Sequence, residues 1–123
     1  MDNKKVLVVD DEPDIVRFIK MALEDEGFSV VEAFNGEEAI HRAYVESPDV
    51  ILLDINMPRI DGYQVCQLLK NDERTRGIPV IIVTARTQKI DKYRGEKAGA
   101  DGYITKPFQT SELIASVRRS LQG

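Results

Sequence analysis

The segment Val50-Ile51-Leu52-Leu53-Asp54 decides the fold, because it joins four consecutive apolar residues to a single carboxylate. A continuous apolar run is typical of a strand that is buried on both faces of a sheet. Similar runs occur at residues 6–9 and 80–83, and shorter ones at residues 29–32 and 103–105. The pattern therefore predicts five strands, three of them buried on both faces as in a parallel sheet.

Segments with helical periodicity separate these runs. Apolar residues three and four positions apart predict a buried stripe on four helices, the first including Phe18 and Leu23 and the third including Val65 and Leu68. A further helical segment, residues 88–98, is mostly polar and is expected to be the least firmly packed. Because strand and helix alternate five times, the sequence predicts an α/β fold with a five-stranded parallel sheet and five helices on both faces.

Length and composition exclude several classes of function. The chain has 123 residues, one cysteine, one histidine and a formal net charge of −4, so we expect a single domain over residues 1–123. The cysteine and histidine counts exclude a disulfide framework, a Cys-rich zinc site and a multi-histidine metal site. No signal-peptide pattern or membrane-spanning apolar run is present, which predicts a cytoplasmic protein with no membrane insertion. The acidic balance argues against direct nucleic-acid binding.

Polar side chains follow four of the predicted strands. They are the acidic run 10–12, then Asp54, Thr84 and Lys106. The carboxyl ends of parallel strands meet at one edge of a sheet, so these groups should converge there. Crowded carboxylates repel one another unless a hard cation such as Mg²⁺ binds between them, and a lysine opposite them suits a phosphoryl oxygen. Since a carboxylate can also act as a nucleophile, the pattern predicts Mg²⁺-assisted phosphoryl transfer to an aspartate.

Four motifs, in this order and spacing, resemble the receiver domain of two-component response regulators, in particular the single-domain chemotaxis type. They are VDDE at residues 9–12, LDINMPRIDG at 53–62, VTA at 83–85 and ITKPF at 104–108. The resemblance covers essentially the whole chain and implies a flavodoxin-like, doubly wound sheet with strand order 2-1-3-4-5. It also implies a phosphoacceptor signalling switch rather than a turnover enzyme.

The resemblance further implies partners for the switch. The phosphoryl group would come from the phosphohistidine of a sensor histidine kinase or a phosphotransfer protein. A change at the face formed by the fourth helix, fifth strand and fifth helix would be sensed by a downstream protein or an output domain outside this chain. Slow autodephosphorylation would then reset the switch. The sequence does not identify the kinase, the output, the oligomeric state or the phosphoryl lifetime.

Individual residues acquire roles from the same resemblance. Asp54 is the expected phosphoacceptor, and Lys106 pairs with the phosphoryl group. Asp10 and Asp11 bind Mg²⁺ together with Asp54 and the backbone carbonyl of Asn56, and Mn²⁺ could substitute for Mg²⁺.

The resemblance also implies two residues that change position on phosphorylation and two that set the lifetime of the phosphoryl group. Thr84 contacts the phosphoryl group and moves toward it, and Tyr103 is the switch aromatic that rotates inward in response. Asn56 and Arg86 occupy the positions that tune phosphoryl lifetime, and Arg86 is predicted to slow dephosphorylation. A cis peptide bond is expected between Lys106 and Pro107.

Taken singly, several of these residues have simpler explanations. The acidic run 10–12 could merely begin a helix, since carboxylates favour helix N-termini. Asp61-Gly62 is more typical of a turn and a helix cap than of catalysis, so we leave it out of the site. His41 is expected on the surface, and Cys66 is expected to be a buried, inert thiol.

The basic residues around the fourth predicted helix form either a solvated face or a surface that docks a partner. They are Arg86, Lys89, Lys92, Arg94 and Lys97. The sequence leaves both possibilities open.

Two other functions compete with the receiver. A metal-dependent phosphatase of the haloacid-dehalogenase type also uses an aspartyl nucleophile, but its nucleophile follows the first strand and a second Asp comes two residues later. A flavin-binding module would need a phosphate loop rich in Ser, Thr or Gly after the first strand. The acidic run 10–12 would instead repel a phosphate there.

Overall fold

The computed structural model describes residues 3–85 and 89–122. Five strands alternate with five helices in this part of the chain, as the sequence predicts. The strands are β1 (Lys5–Val9), β2 (Ser29–Ala33), β3 (Val50–Asp54), β4 (Val80–Thr84) and β5 (Gly102–Thr105). The helices are α1 (Pro13–Asp25), α2 (Gly36–Glu46), α3 (Gly62–Lys70), α4 (Lys89–Ala98) and α5 (Thr110–Gln122).

The strands form one parallel sheet in the order β2-β1-β3-β4-β5. This confirms the doubly wound, flavodoxin-like topology. The strand order reverses between β1 and β3, because the chain continues from these two strands into helices on opposite sides of the sheet. In α/β sheets, ligands bind at such a switch point. All five strands present their carboxyl ends to one edge, so the residues after β1, β3, β4 and β5 lie together.

Alternate strand residues face opposite sides of the sheet, and each side carries its own hydrophobic core. On one side, Leu7, Ile51 and Ile82 pack with buried residues of α2, α3 and α4. On the other side, Val8 and Leu52 pack with α1 and α5. The strands β1, β3 and β4 are therefore buried on both faces, which explains why their sequences are continuously apolar.

Two residues that the helical stripes placed in the core lie at the surface instead. Phe18 is 53% exposed and Leu68 is 51% exposed. In α1 the buried positions are Val16, Ile19 and Leu23, and Phe18 lies about 200° around the helix from Val16, since each residue turns the helix by about 100°. The ring of Phe18 lies against that of Phe108, with centroids 6.4 Å apart.

The polar helix α4 begins at Lys89, while residue 88 of the predicted segment lies outside the described residues. Ala98 of α4 is buried in the core beside α3, and Tyr93 is mostly exposed. No helix in the described ranges is long and apolar enough to cross a bilayer.

Candidate functional site

Asp10 directly follows β1 at the sheet edge where the strands end. Its carboxylate is 2% exposed and is held from two directions. Asp10 Oδ1 accepts a hydrogen bond from the backbone N–H of Glu12 at 3.0 Å, and Oδ2 accepts one from Lys106 Nζ at 3.0 Å. Because the first bond closes a tight turn into α1, the carboxylate points across the edge toward β5 rather than into solvent.

Asp54 is the last residue of β3 and is only 4% exposed. Its Oδ1 lies 3.4 Å from Lys106 Nζ. Burial raises the pKa of Asp54 from its ordinary 3.8 to about 6, the charge of Asp10 adds to this effect, and Lys106 opposes it. The site therefore holds more negative charge than one ammonium group can compensate.

Lys106 supplies the positive charge between these carboxylates. Its backbone N–H donates to the carbonyl of Thr84 at 2.8 Å, which continues the pairing of β4 with β5 by one residue. The peptide bond to Pro107 is cis, as expected. Burial opposes the charged form of the ammonium, but the hydrogen bonds and charges of Asp10 and Asp54 outweigh it and raise the pKa of Lys106. Lys106 thus stays charged at neutral pH.

A third carboxylate, predicted to bind the metal, completes an acidic group beside these two. Oxygen atoms of Asp10, Asp11 and Glu12 lie within 4.8 Å of one another. Asp11 and Glu12 are exposed, as is Asn56, two residues beyond Asp54. These are hard oxygen donors of the kind that Mg²⁺ prefers, and burial together with the charge of Asp10 raises the pKa of Asp54, which a bound cation would oppose. The residues present therefore fit a divalent cation.

The loop after Asp54 is held tightly against the end of β3. A Cβ at Gly62 would collide with the carbonyl oxygen of Asp54, so only glycine permits this approach. The backbone N–H of Gly62 donates to the carbonyl of Ile55 at 3.1 Å. Asp61 then caps α3 in a reciprocal pair with Gln64, which confirms that Asp61-Gly62 serves turn and cap chemistry.

Thr84 and Tyr103 lie on the neighbouring strands. Thr84 ends β4 fully buried, one residue beyond Val83, the partner of Asp54 in the sheet. Tyr103 in β5 is half-buried, and its hydroxyl lies 2.8 Å from the hydroxyl of Tyr63.

Tyr63 is a site neighbour that the sequence reasoning missed. It is only 5% exposed and is the second residue of α3. Its position immediately after Gly62 was the available signal, because a residue there must lie next to the end of β3.

The remaining sequence predictions fall away from this edge or outside the described residues. Arg86 lies outside them. His41 is exposed, as expected. Cys66 is buried, its thiol donates to the carbonyl of Ala98 at 3.5 Å, and burial raises its pKa to about 11, so it is the inert thiol that was predicted.

The comparison with protein families assigns the chain. The sequence pattern of the response regulator receiver domain matches residues 6–118. The chain belongs to this family. Receiver domains act as signalling switches and interact with histidine kinases, and the family typically uses Mg²⁺. The predicted family is thus confirmed, and the haloacid-dehalogenase alternative is not favoured.

Two relatives are each 42% identical to this receiver domain over the matched region. One is the alkaline phosphatase synthesis transcriptional regulatory protein PhoP of Bacillus subtilis, matched over 120 residues that make up 98% of this chain. The other is the DNA-binding dual master transcriptional regulator RpaA of Synechocystis, matched over 118 residues, or 96% of this chain. In both cases the match covers 49% of the relative, so the chain spans about half the length of the curated relatives it matches.

Solved structures agree with this receiver fold. The chemotaxis protein CheY4 of Vibrio cholerae superimposes with a TM-score of 0.93 at 32% identity, covering 98% of this chain and all of that one. A response regulator of Chloroflexus aurantiacus superimposes with a TM-score of 0.94 at 32% identity, covering 99% of this chain and all of that one.

Proposed function

We propose that residues 1–123 form a phosphoacceptor switch in which Asp54 is the phosphorylated residue. The observation that carries the proposal is the convergence of Asp10 and Asp54 on the ammonium of Lys106, at 3.0 and 3.4 Å. The three groups come from the ends of β1, β3 and β5, so the sheet topology itself assembles the site. This arrangement supports a phosphoryl-transfer site in which positioning and charge, rather than an acid–base pair, lower the barrier.

The proposed metal ligands are Asp10, Asp11, Asp54 and the backbone carbonyl of Asn56. When bound there, Mg²⁺ would neutralise charge on phosphoryl oxygens and on the carboxylates. The chain's own contribution is to hold hard oxygen donors together at this edge. The hydrogen bond from Glu12 N–H to Asp10 Oδ1 keeps that carboxylate oriented before any cation arrives.

In the proposed reaction an oxygen of the Asp54 carboxylate forms a bond to phosphorus. The bond between phosphorus and the donor nitrogen of a phosphohistidine breaks, and the nitrogen leaves with the electron pair and takes a proton from water. Hydrolysis reverses the modification when water attacks phosphorus, which releases inorganic phosphate and restores the carboxylate. The chain is itself the phosphoryl acceptor and its autodephosphorylation is slow in this proposal, so we expect a signalling switch rather than a turnover enzyme.

Lys106 and Thr84 complete the proposed chemistry. Lys106 already lies within 3.4 Å of Asp54 and would pair with a phosphoryl oxygen placed there. Thr84 is buried at the adjoining strand end, from which its hydroxyl would contact a second oxygen. Tyr103 would transmit that contact to the face formed by α4, β5 and α5.

The proposed partners follow from this cycle. A sensor histidine kinase or a phosphotransfer protein in the cytoplasm supplies the phosphoryl group. A downstream protein, or an output domain outside residues 1–123, senses the changed face. We expect no direct nucleic-acid contact by these residues, whose net charge is −4, and no membrane insertion.

Acetyl phosphate tests the proposal without a kinase. With MgCl₂ present, the intact mass should increase by one phosphoryl group. The gain should vanish in Asp54→Asn and when EDTA removes the metal. Asp61→Asn is the matched control, because it removes a nearby carboxylate from the same loop and should keep the gain. A chain that gains no phosphoryl group, or an Asp54→Asn variant that still gains one, would refute the proposal.

The predicted role of Arg86 in phosphoryl lifetime is tested on the same material. After rapid removal of acetyl phosphate, phospho-Asp54 should decay faster in Arg86→Ala than in the parent, because a long cationic side chain at that position would cover or pair with the phosphoryl group. Mass spectrometry over time gives the decay rate, with Arg76→Ala as the control. Equal decay rates in the parent and Arg86→Ala contradict this role.

A further inference from the structure

Tyr63 lies where the loop after Asp54, the helix α4 and the strand β5 meet. The residue before it, Gly62, packs against the backbone carbonyl of Asp54, the proposed phosphoacceptor. Tyr63 therefore lies close to the end of β3. Its hydroxyl lies 2.8 Å from that of Tyr103. The side chain of Tyr63 is almost fully buried between this loop, α4 and β5.

The ring of Tyr103 is confined on a second side by α4. A Cβ placed on Gly95 would lie 2.6 Å from Tyr103 Cε2, so the ring lies against the helix backbone itself. Tyr103 also packs with the core on the side of the sheet that carries α2, α3 and α4. The aromatic ring is therefore directed inward, between α3 and α4.

Arg94 fastens α4 over the same tyrosine. Its guanidinium carbon lies 4.4 Å from the centroid of the Tyr63 ring, and its Nη2 lies 3.8 Å from Asp61 Oδ2. Asp61 is the N-cap of α3, so Arg94 joins α4 to the start of that helix. A cation over an aromatic ring is a favourable contact, so Arg94 helps to hold α4 beside Tyr63.

We propose that Tyr63 is a positioning residue that stabilises the inward position of Tyr103 through the contact between their hydroxyls. The inference rests on the proposed function, in which Tyr103 transmits the state of Asp54 to the α4–β5–α5 face. The hydroxyl of Tyr63 gives Tyr103 an inward hydrogen-bonding partner that does not depend on a phosphoryl group. The inward position of the switch aromatic is then stabilised by a residue of α3.

Fluorine NMR of 3-fluorotyrosine-labelled protein tests this directly. The chain has four tyrosines, so Tyr→Phe variants assign the four signals. Tyr63→Phe keeps the buried ring and its contact with Arg94 but loses the hydroxyl. We expect the ratio of inward to outward Tyr103 to fall about fivefold, since one hydroxyl hydrogen bond is worth about 1 kcal/mol. The Tyr103 signal should shift toward its value in urea-unfolded protein.

Tyr44→Phe is the matched control. It also removes a tyrosine hydroxyl with a short hydrogen bond, to Asp72 Oδ2 at 2.6 Å, but on α2, away from β5. The Tyr103 signal should not move in this variant. An unmoved Tyr103 signal in Tyr63→Phe, or an equal shift in both variants, would overturn the proposal.

Phosphorylation separates this proposal from the one on which it rests. In Tyr63→Phe treated with acetyl phosphate and Mg²⁺, the Tyr103 signal should return toward the parent value, because the phosphoryl group replaces the missing inward preference. If it does not return although the mass shows one phosphoryl group, Tyr63 does not act on the switch. If no phosphoryl group is gained, the proposed function fails while the shift in the resting protein still decides the role of Tyr63.

Discussion

At the scale of single residues, Asp54 is a buried carboxylate that shares a cationic partner with a second carboxylate. Its carboxylate is buried beside Asp10, and Lys106 is shared between the two. The pKa of Asp54 is therefore raised to about 6 in the folded, metal-free chain. The ionised Asp54 carboxylate should therefore lower the free energy of unfolding of the metal-free protein.

The cost has a definite dependence on pH. In the unfolded chain Asp54 ionises near 3.8, and in the folded chain it ionises near 6. Between these values the folded state binds the additional proton, so the contribution of Asp54 to stability falls as the pH rises from 4 to 6 and stays constant above that. Below pH 4 both states are protonated and the cost disappears.

Asp54→Asn should accordingly stabilise the metal-free protein at pH 7, by up to about 3 kcal/mol, because the pKa difference of about two units corresponds to that free energy. Urea unfolding in EDTA at pH 4 and pH 7 measures it, and the gain should be small at pH 4. Asp25→Asn, at an exposed position of α1, should change stability little at either pH. A destabilised Asp54→Asn at pH 7 would show that the buried charge costs the fold nothing.

At the scale of secondary-structure elements, strand patterns predicted more than helix patterns did. The buried runs of β1, β3 and β4 were recognisable because both faces of those strands are covered. Helix stripes are wider than the buried arc, so Phe18 and Leu68 satisfied the spacing and still lie half exposed. The residues at strand ends were predictable because topology brings them together.

Contacts between side chains of different elements could not be predicted from the sequence. The pairing of Tyr63 with Tyr103 joins residues 40 positions apart, and the position of Arg94 over Tyr63 depends on how α4 packs beside α3. Neither contact leaves a periodic signal. Local devices such as the Asp61 cap are encoded within four residues, which is why that prediction is confirmed.

The cap of α3 can be tested by itself. Asp61→Ala removes an acceptor for the backbone N–H of Gln64, at 2.9 Å, and should cost about 1 kcal/mol in urea unfolding. Asp61→Asn keeps a capping oxygen and loses only a long, half-exposed ion pair with Arg94, so it should cost much less. Equal losses in the two variants would mean that charge, and not capping, is what Asp61 contributes.

At the scale of the whole molecule, the charges of the site affect the free energy of unfolding of the whole domain. Strand ends that place Asp10 and Asp54 together store repulsion in the folded state, and a cation that binds only the folded state recovers it. We therefore expect divalent metal ions to stabilise the folded domain. Metal binding should also depend on pH, because a protonated Asp54 is a poor metal ligand.

Added Mg²⁺ should raise the urea midpoint at pH 7 and leave the slope of the unfolding free energy against urea unchanged. At a hundred times the dissociation constant the gain is about 2.7 kcal/mol, and it should be smaller at pH 5, where Asp54 retains its proton. Matched ionic strength from NaCl is the control for screening. Asp11→Asn should lose the gain and Asp14→Asn, on an exposed turn of α1, should keep it. A gain of equal size in Asp11→Asn, or one reproduced by NaCl, would place the cation elsewhere than at the strand ends.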